Sequence, residues 1–410
     1  MERVSGQLSS QTFFASFLLP NKPCLIGSEI TAGWKARREW VKYGKPNLEF
    51  LLQNFGDCIV PVADCSKEKF GSHPKVEISL REYLSQWKDK PLYLKDWHFS
   101  RNYPDYGAYE TPPHFIDDWM NEFWEKYEKD DFRFVYMGPK GTWTPFHADV
   151  YRSYSWSANV CGAKRWIIYP PGEEDYLRDT FGNLPFDVTS DAVSDSTRYP
   201  NAHKASKPID IIQNSGEIIF IPSGWHHQVE NVEDTMSINH NWGNACNLDI
   251  MLEKLRSDLK QVKRAIADCE DMEGWDNHCQ KILLSDSGID YHLFLRYLLS
   301  VSERILQEIS EETQLFGRFV PRVEDAECAL RMTKFGPTRD CIQPGGALSV
   351  ASNPLSLFKQ FECTRIQTAL RQLLSDDSTK VIFTQKELEK FIEIDSKLST
   401  HLSRNIKNKT

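Results

Sequence analysis

Between residues 132 and 242 the apolar positions fall in short runs separated by Gly, Pro and Asn. The runs are Phe132–Met137, Thr142–Val150, Tyr154–Val160, Lys164–Tyr169, Ile209–Ile212, Glu217–Ile221, Gln228–Val232 and Thr235–Trp242. Runs of this length, rich in Val, Ile, Thr and aromatics and bounded by turn residues, predict β-strands. Within Tyr154–Val160 aromatic and small residues alternate, so one face of that strand is bulky and the other is not. Many short strands predict an antiparallel sandwich or jelly roll rather than a βαβ fold. After Asn247 the period changes. Leu248, Met251, Leu252, Leu255, Leu259 and Val262 recur at helical spacing and predict a helix over Asn247–Cys269. Trp275–Leu284, Tyr291–Ile309, Leu357–Leu374 and Gln385–Leu398 are further helix candidates, and Gly336–Asn353 reads as loop.

The first 131 residues mix the two patterns. Gln11–Leu19 reads as a short amphipathic helix stopped by Pro20, and Trp34–Trp40 as a surface helix with two aromatic anchors. Pro23–Ile26, Asp57–Val62, Val76–Leu80 and Pro91–Asp96 read as strands. Ser79–Trp87 reads as a helix opened by a capping box, and Phe115–Tyr127 as a helix whose aromatic stripe packs on a core. The fold class is therefore mainly β with helical additions. It divides into a mixed lead-in over 1–131, a β core over 132–245 and a helical region over 246–410.

A chain of 410 residues suffices for one large domain with an accessory one, or for two to three ordinary domains. Its 49 basic and 58 acidic residues give a net charge of −9 without a long basic run. That argues against nucleic acid as a partner and leaves room for a basic protein or peptide. The 10 cysteines are scattered without C-x-x-C pairs, as reduced, mostly buried thiols of the cytosol or nucleus are. Met1–Ser10 lacks the apolar core of a signal peptide, and the apolar run Phe13–Leu19 is too short to span a bilayer. A cytoplasmic or nuclear protein with no membrane partner is expected, the cytoplasm being the first choice.

The candidate chemistry starts at Thr144–Asp149, T-P-F-H-A-D. On a strand, residues two apart share a face, so His147 and Asp149 project side by side. They make two of the three ligands of a 2-His-1-carboxylate site for Fe(II). A lone H-x-D is weak, because such triplets recur by chance. A third ligand is available in Gly216–His227, G-E-I-I-F-I-P-S-G-W-H-H, where an apolar strand and a tight turn lead to two imidazoles. Neighbours on a strand face opposite ways, so only one of His226 and His227 can point at a metal. Lys164 opens an apolar strand. A lysine in such a place is more often solvated; if its stem is buried, its ammonium needs a partner charge, which a dicarboxylate would supply.

Taken together, F-H-A-D, G-A-K-R-W-I-I-Y-P-P, G-E-I-I-F-I-P-S-G-W-H-H and D-T-M-S-I-N-H-N-W resemble the JmjC family of Fe(II)- and 2-oxoglutarate-dependent oxygenases in order and spacing. The resemblance is strong over 132–242. The lead-in F-F-A-S-F-L-L-P-N-K-P-C-L-I is similar to the start of the hydroxylase branch. The resemblance implies a double-stranded β-helix core, a cupin-like jelly roll, that uses Fe(II), 2-oxoglutarate and O2. It implies iron on His147, Asp149 and, from the alignment of P-S-G-W-H-H, His227. It implies the distal carboxylate of 2-oxoglutarate on Lys164, reached also by Thr144 and Tyr93. Asn239 stands where relatives often carry a threonine near the cosubstrate. H-x-D in place of H-x-E is the variant common in the hydroxylase branch. Within that branch the resemblance is to a lysyl hydroxylase of the translation release factor. This implies a protein substrate, succinate and CO2 as co-products, and C-terminal helices that pair subunits in a homodimer. A mouth built from Tyr151–Trp156, Asp187–Lys207 and the lead-in would admit the lysine, with Asp187, Asp191 and Asp195 read either as an acidic rim or as a solvated acidic loop. The rival functions are an N-methyl-lysine demethylase using the same site and a catalytically idle barrel serving as a binding module.

Overall fold

The computed structural model describes residues 1–315, 354–375 and 379–407; the loop expected over 336–353 lies outside them. Two compact units are present: Met1–Asn121 with Lys129–Trp242, and Glu122–Glu128 with Gly243–Thr410.

The first unit carries the strands. They are β1 (Glu2–Val4), β2 (Cys24–Ile26), β3 (Val41–Lys42), β4 (Lys45–Pro46), β5 (Ile59–Asp64), β6 (Lys75–Ser79), β7 (Leu92–Trp97), β8 (Arg133–Gly138), β9 (Trp143–His147), β10 (Tyr154–Cys161), β11 (Lys164–Tyr169), β12 (Ile209–Gln213), β13 (Ile218–Ile221), β14 (His226–Asn231) and β15 (Thr235–Trp242). A nine-stranded sheet runs β1-β2-β13-β10-β15-β8-β7-β5-β6, a four-stranded sheet runs β12-β11-β14-β9, and β3 pairs with β4. Among the paired strands of the described residues, only β1 and β2 run parallel. The expected jelly roll is present, with β10 lying between β13 and β15 and β11 between β12 and β14.

Alternation along the strands explains how the sheets meet. Leu25, Ile219 and Ile221 of the large sheet close on Trp166, Ile168 and Val229 of the small one. On the outer face of the large sheet, Trp156 pairs with His240 and the rings lie 4.1 Å apart. Phe115 stacks on Trp156 at 5.5 Å, and Phe13 meets Phe220 edge-on at 5.0 Å. The lead-in thus covers that face with an aromatic layer. Each such buried ring contributes on the order of 2 kcal/mol. Ser155, Ser157, Asn239 and Asn241 are left facing a cavity. The outer face of the small sheet, Ile167 and Tyr169 with Phe146, is covered by Leu177, Val188, Val193 and Ala202.

That last contact corrects one expectation. The segment 187–207 lies on the back of the small sheet because its apolar residues need that cover. Its acids serve local turns: Asp187 Oδ1 accepts from Thr189 N and Gln228 Nε2, and Asp195 Oδ1 accepts from Thr197 N. Two helices of the lead-in also differ from their expected spans. Ser10–Phe13 is α-helical, but Phe14–Leu18 widens into a π turn in which Leu19 N donates to Phe14 O. The aromatic helix begins only at Trp119, where Asp118 accepts from the Asn121 amide. The aromatic anchors Trp34 and Trp40 are buried, as expected, on either side of a short helix, Lys35–Glu39.

The second unit is helical. Its principal helices are Leu248–Ala265, Trp275–Ser287, Tyr291–Leu315, Pro354–Leu374 and Gln385–Lys407. The apolar stripe of the first, Leu248 to Val262, is buried. Pro354–Leu374 packs against the first, third and last of these helices. No helix among the described residues is long and apolar enough to cross a membrane.

Candidate metal centre and its cavity

β9 ends at His147 and β14 begins at His226. In their antiparallel register His227 lies opposite His147, with ring centroids 4.5 Å apart. Asp149 is not on the strand, as expected, but two residues beyond His147. Its backbone is still extended, φ −58° and ψ 156°, at the head of the turn Val150–Arg152. Its carboxylate therefore remains on the imidazole side. One ligating atom from each of His147, Asp149 and His227 lies within 4.8 Å of the others.

The second contacts of each ligand fix its chemistry. His147 Nδ1 lies 2.8 Å from Pro145 O, and His227 Nδ1 lies 3.3 Å from Trp225 O. A carbonyl only accepts, so each Nδ1 carries the proton and each Nε2 keeps a free lone pair. Burial, and next the His227 ring, push His147 down to about 4, so it is the neutral, ligating form at neutral pH. Ser155 Oγ donates to Asp149 Oδ2 at 2.7 Å. Two imidazoles that offer Nε2 and a hydrogen-bonded carboxylate suit a divalent transition metal and leave positions open. His226 faces the other way, beside Arg152 Nη1 at 3.4 Å and Glu174 Oε2 at 3.6 Å. Burial and then Arg152 hold its imidazole down at about 2. Of the pair, His227 is the one placed beside His147 and Asp149.

Two turns deliver these ligands. Gly224, before the histidine pair, has φ +80°, a conformation glycine adopts without a Cβ penalty. Tyr151 and Arg152 adopt φ +54° and +56° without being glycine. Such positions cost on the order of 1–3 kcal/mol each and persist where surroundings fix them. Here the turns tie to each other: Ser223 Oγ donates to Arg152 O, and Arg152 Nη1 donates to Gly224 O at 3.1 Å.

A cavity of about 60 Å³ opens between the ligands and Lys164. Lys164 is 2 % exposed. Its Nζ donates to Tyr93 Oη at 3.0 Å and meets no carboxylate among the described residues. Burial, and next the charge of Lys95, push this ammonium down to about 7. Burial raises the Tyr93 phenol, which stays neutral. Thr144 and Asn239 line the same cavity, Asn239 Nδ2 donating to Ser237 Oγ at 3.1 Å. His147, Asp149, His227, Lys164, Tyr93, Thr144 and Asn239 thus line one space, whereas His226 and the acids of 187–207 do not. A buried ammonium lacking a counter-charge beside an open ligand set fits a metal-bound dicarboxylate. Sequence reasoning missed Lys95, Tyr136, Ser155 and Asn241, which also line it. Lys95 had a signal, since it stands two residues after Tyr93 on one strand. Ser155 had none, because only the turn after Asp149 brings it back to the carboxylate.

Comparison with known proteins agrees with this geometry. The cupin-like domain family matches residues 10–247. The chain is 52 % identical over 303 residues to the 2-oxoglutarate and iron-dependent oxygenase JMJD4 of Gallus gallus, covering 71 % of each chain. It is 46 % identical over 342 residues to the protein of that name from Danio rerio, covering 80 % of this chain and 81 % of the relative. It is also 42 % identical over 340 residues to the arginine-specific demethylase JMJ20 of Arabidopsis thaliana, covering 76 % and 73 %. The chain belongs to the cupin-like JmjC family of 2-oxoglutarate- and iron-dependent oxygenases.

Proposed function

We propose that the protein hydroxylates a lysine of the translation release factor. The observation that carries the reading is the convergence of His147, Asp149 and His227 on one cavity with the buried, carboxylate-free Lys164. Support for the substrate comes from sequence: P-F-H-A-D, G-W-H-H-Q-V and I-N-H-N-W resemble a lysyl hydroxylase of that factor. In this reading His147, Asp149 and His227 hold iron, and Ser155 keeps the Asp149 carboxylate turned toward it. Lys164, Tyr93 and Thr144 bind the far carboxylate of 2-oxoglutarate, a charge-assisted contact in a low-dielectric pocket. Trp166 and Val229 keep water out. Iron, 2-oxoglutarate and O2 together supply the oxidising power, with succinate and CO2 as co-products. The protein residues contribute position and dryness.

The test is incubation with purified release factor, Fe(II), 2-oxoglutarate and ascorbate, followed by mass mapping. A gain of one oxygen on a lysine, absent with Asp149→Ala, supports the proposal. No gain there, with turnover on a methylated peptide, refutes it. A second reading, demethylation, is favoured by the similarity to the Arabidopsis protein named an arginine-specific demethylase. Its product would be lighter by one methylene. The same proposal puts the protein in the cytoplasm, where termination occurs, and pairs subunits through the C-terminal helices. Fractionation and light scattering test those two points.

A further inference from the structure

Lys95 is the second cation of the cavity, and no role has yet been assigned to it. It follows Tyr93 by two residues on β7, so both side chains leave the same face of the strand. Leu94 pairs with Met137, which sets Lys95 beside Tyr136. Its Nζ is 5.6 Å from the Tyr136 ring and 5.9 Å from the Tyr93 ring.

The ladder registers place Lys95 relative to the metal ligands. Tyr136 pairs with Ser237, Asn239 pairs with Ser157, and Asn241 pairs with Ser155, whose hydroxyl holds Asp149. Along the large sheet the rows thus run from Tyr93, which contacts Lys164, through Lys95, to the residues beside the metal ligands. Lys95 is one row closer to the metal than the Lys164–Tyr93 contact.

At the adjacent bulge Lys95 lacks a direct ion pair, although the charges of Asp96 and Asp149 act on it. The β7–β8 register shifts between Leu94 and Trp97, and Asp96 takes φ +61°. Asp96 then accepts from Tyr136 Oη at 2.7 Å and pairs with Lys75. Lys95 is left with no hydrogen bond or ion pair among the described residues, against two aromatic rings and partly buried. Asp149 is the acid of this cavity, and a metal would engage it. Burying a cation in this way is costly unless an anion arrives.

We propose that Lys95 is a second cosubstrate-binding cation, placed for the carboxylate at the metal end of 2-oxoglutarate while Lys164 takes the far one. The proposal rests on the oxygenase reading of the site. It also removes a conflict: an unpaired ammonium there would repel a substrate lysine, whereas a carboxylate between them screens it. A cosubstrate-first order of binding follows.

The test uses full-length protein loaded with Mn(II) without oxygen, titrated calorimetrically with 2-oxoglutarate and with 2-oxopentanoate, which lacks the far carboxylate. Lys95→Met weakens both ligands by a similar factor, about ten-fold or more. Lys164→Met weakens 2-oxoglutarate alone. Lys95→Arg, which keeps the charge, retains most of the affinity, and Lys95→Gln replaces the Met variant if that folds poorly. Unchanged binding of 2-oxopentanoate in Lys95→Met, with the Lys164→Met loss intact, overturns the role of Lys95 alone. Failure of the unaltered protein to bind 2-oxoglutarate overturns the functional reading as well.

Discussion

Replacing Lys164 by Met tests the proposed cosubstrate pocket most directly, because the two shapes are similar and only the charge is lost. Leaving a buried carboxylate without its counter-charge costs about 3–5 kcal/mol. Two features of the pocket reduce this. The Tyr93 hydroxyl and Thr144 remain to bond the carboxylate. In addition, an ammonium pushed down to about 7 is only partly protonated above that pH, which already weakens binding by the unaltered protein. The net loss is about 2–4 kcal/mol, or roughly 30- to 1000-fold in Kd. Calorimetry on the Mn(II) form across pH 6–8.5 reads it. Pairing with a carboxylate raises the ammonium, so binding takes up a proton and the affinity of the unaltered protein falls as pH rises through about 7. The Met variant loses that slope. Stability moves the opposite way. Without cosubstrate the folded ammonium titrates near 7, below an unfolded lysine at about 10.4, so folding releases a proton between these values. The burden on stability is therefore full below about pH 7 and eases as pH rises. Lys164→Met should leave the thermal midpoint of the cosubstrate-free protein unchanged or higher at pH 6.5, and abolish its rise on adding 2-oxoglutarate. Unchanged affinity, or lost affinity accompanied by an equal loss of cosubstrate-free stability, would refute the reasoning.

Ser155→Ala removes the hydrogen bond that orients Asp149 and should weaken metal binding roughly 10- to 100-fold in a competitive chelator titration, with the fold retained. His227→Ala should abolish metal uptake. His226→Ala should keep it while lowering stability, since that ring packs against Phe146 and Arg152; equal metal loss in both would overturn the assignment. Gly224→Ala forces a side chain into a left-handed position and should cost about 1–2 kcal/mol in chemical denaturation.

Legibility in the sequence followed the range of the physics involved. Strand periodicity identified the core, because a two-sheet sandwich must bury alternate positions, and helical periodicity identified Leu248–Ala265 in the same way. His147 was readable because it sits at the end of a regular strand, whereas Thr144 and the role of Lys164 came from the family resemblance. Asp149 was placed correctly beside His147 for a partly wrong reason, since its own extended backbone beyond β9 does what strand alternation was expected to do. For 187–207 the solvated-loop reading of its acids was the better of the two, and the docking of the segment was hidden because the apolar residues that make it are scattered: Val188, Val193 and Ala202. Ser155 and Lys95 depend on a turn and a bulge, both set by long-range pairing.

β9 is the outermost strand of the four-stranded sheet, with β14 as its strand neighbour and a single backbone bond, Phe146 N to Phe186 O, outside the ladder. His147 and His227 face each other across that single ladder, so an ion held by both acts as a rivet through the sheet's border. Metal at a hundred times its Kd would add about 2.7 kcal/mol to folding, and amide exchange at Trp143–His147 would slow accordingly. Iron supply would then set how long the chain survives proteolytic surveillance as well as how fast it turns over. A cell starved of iron would hold fewer copies of this protein, where a rigid barrel would leave it with the same number standing idle.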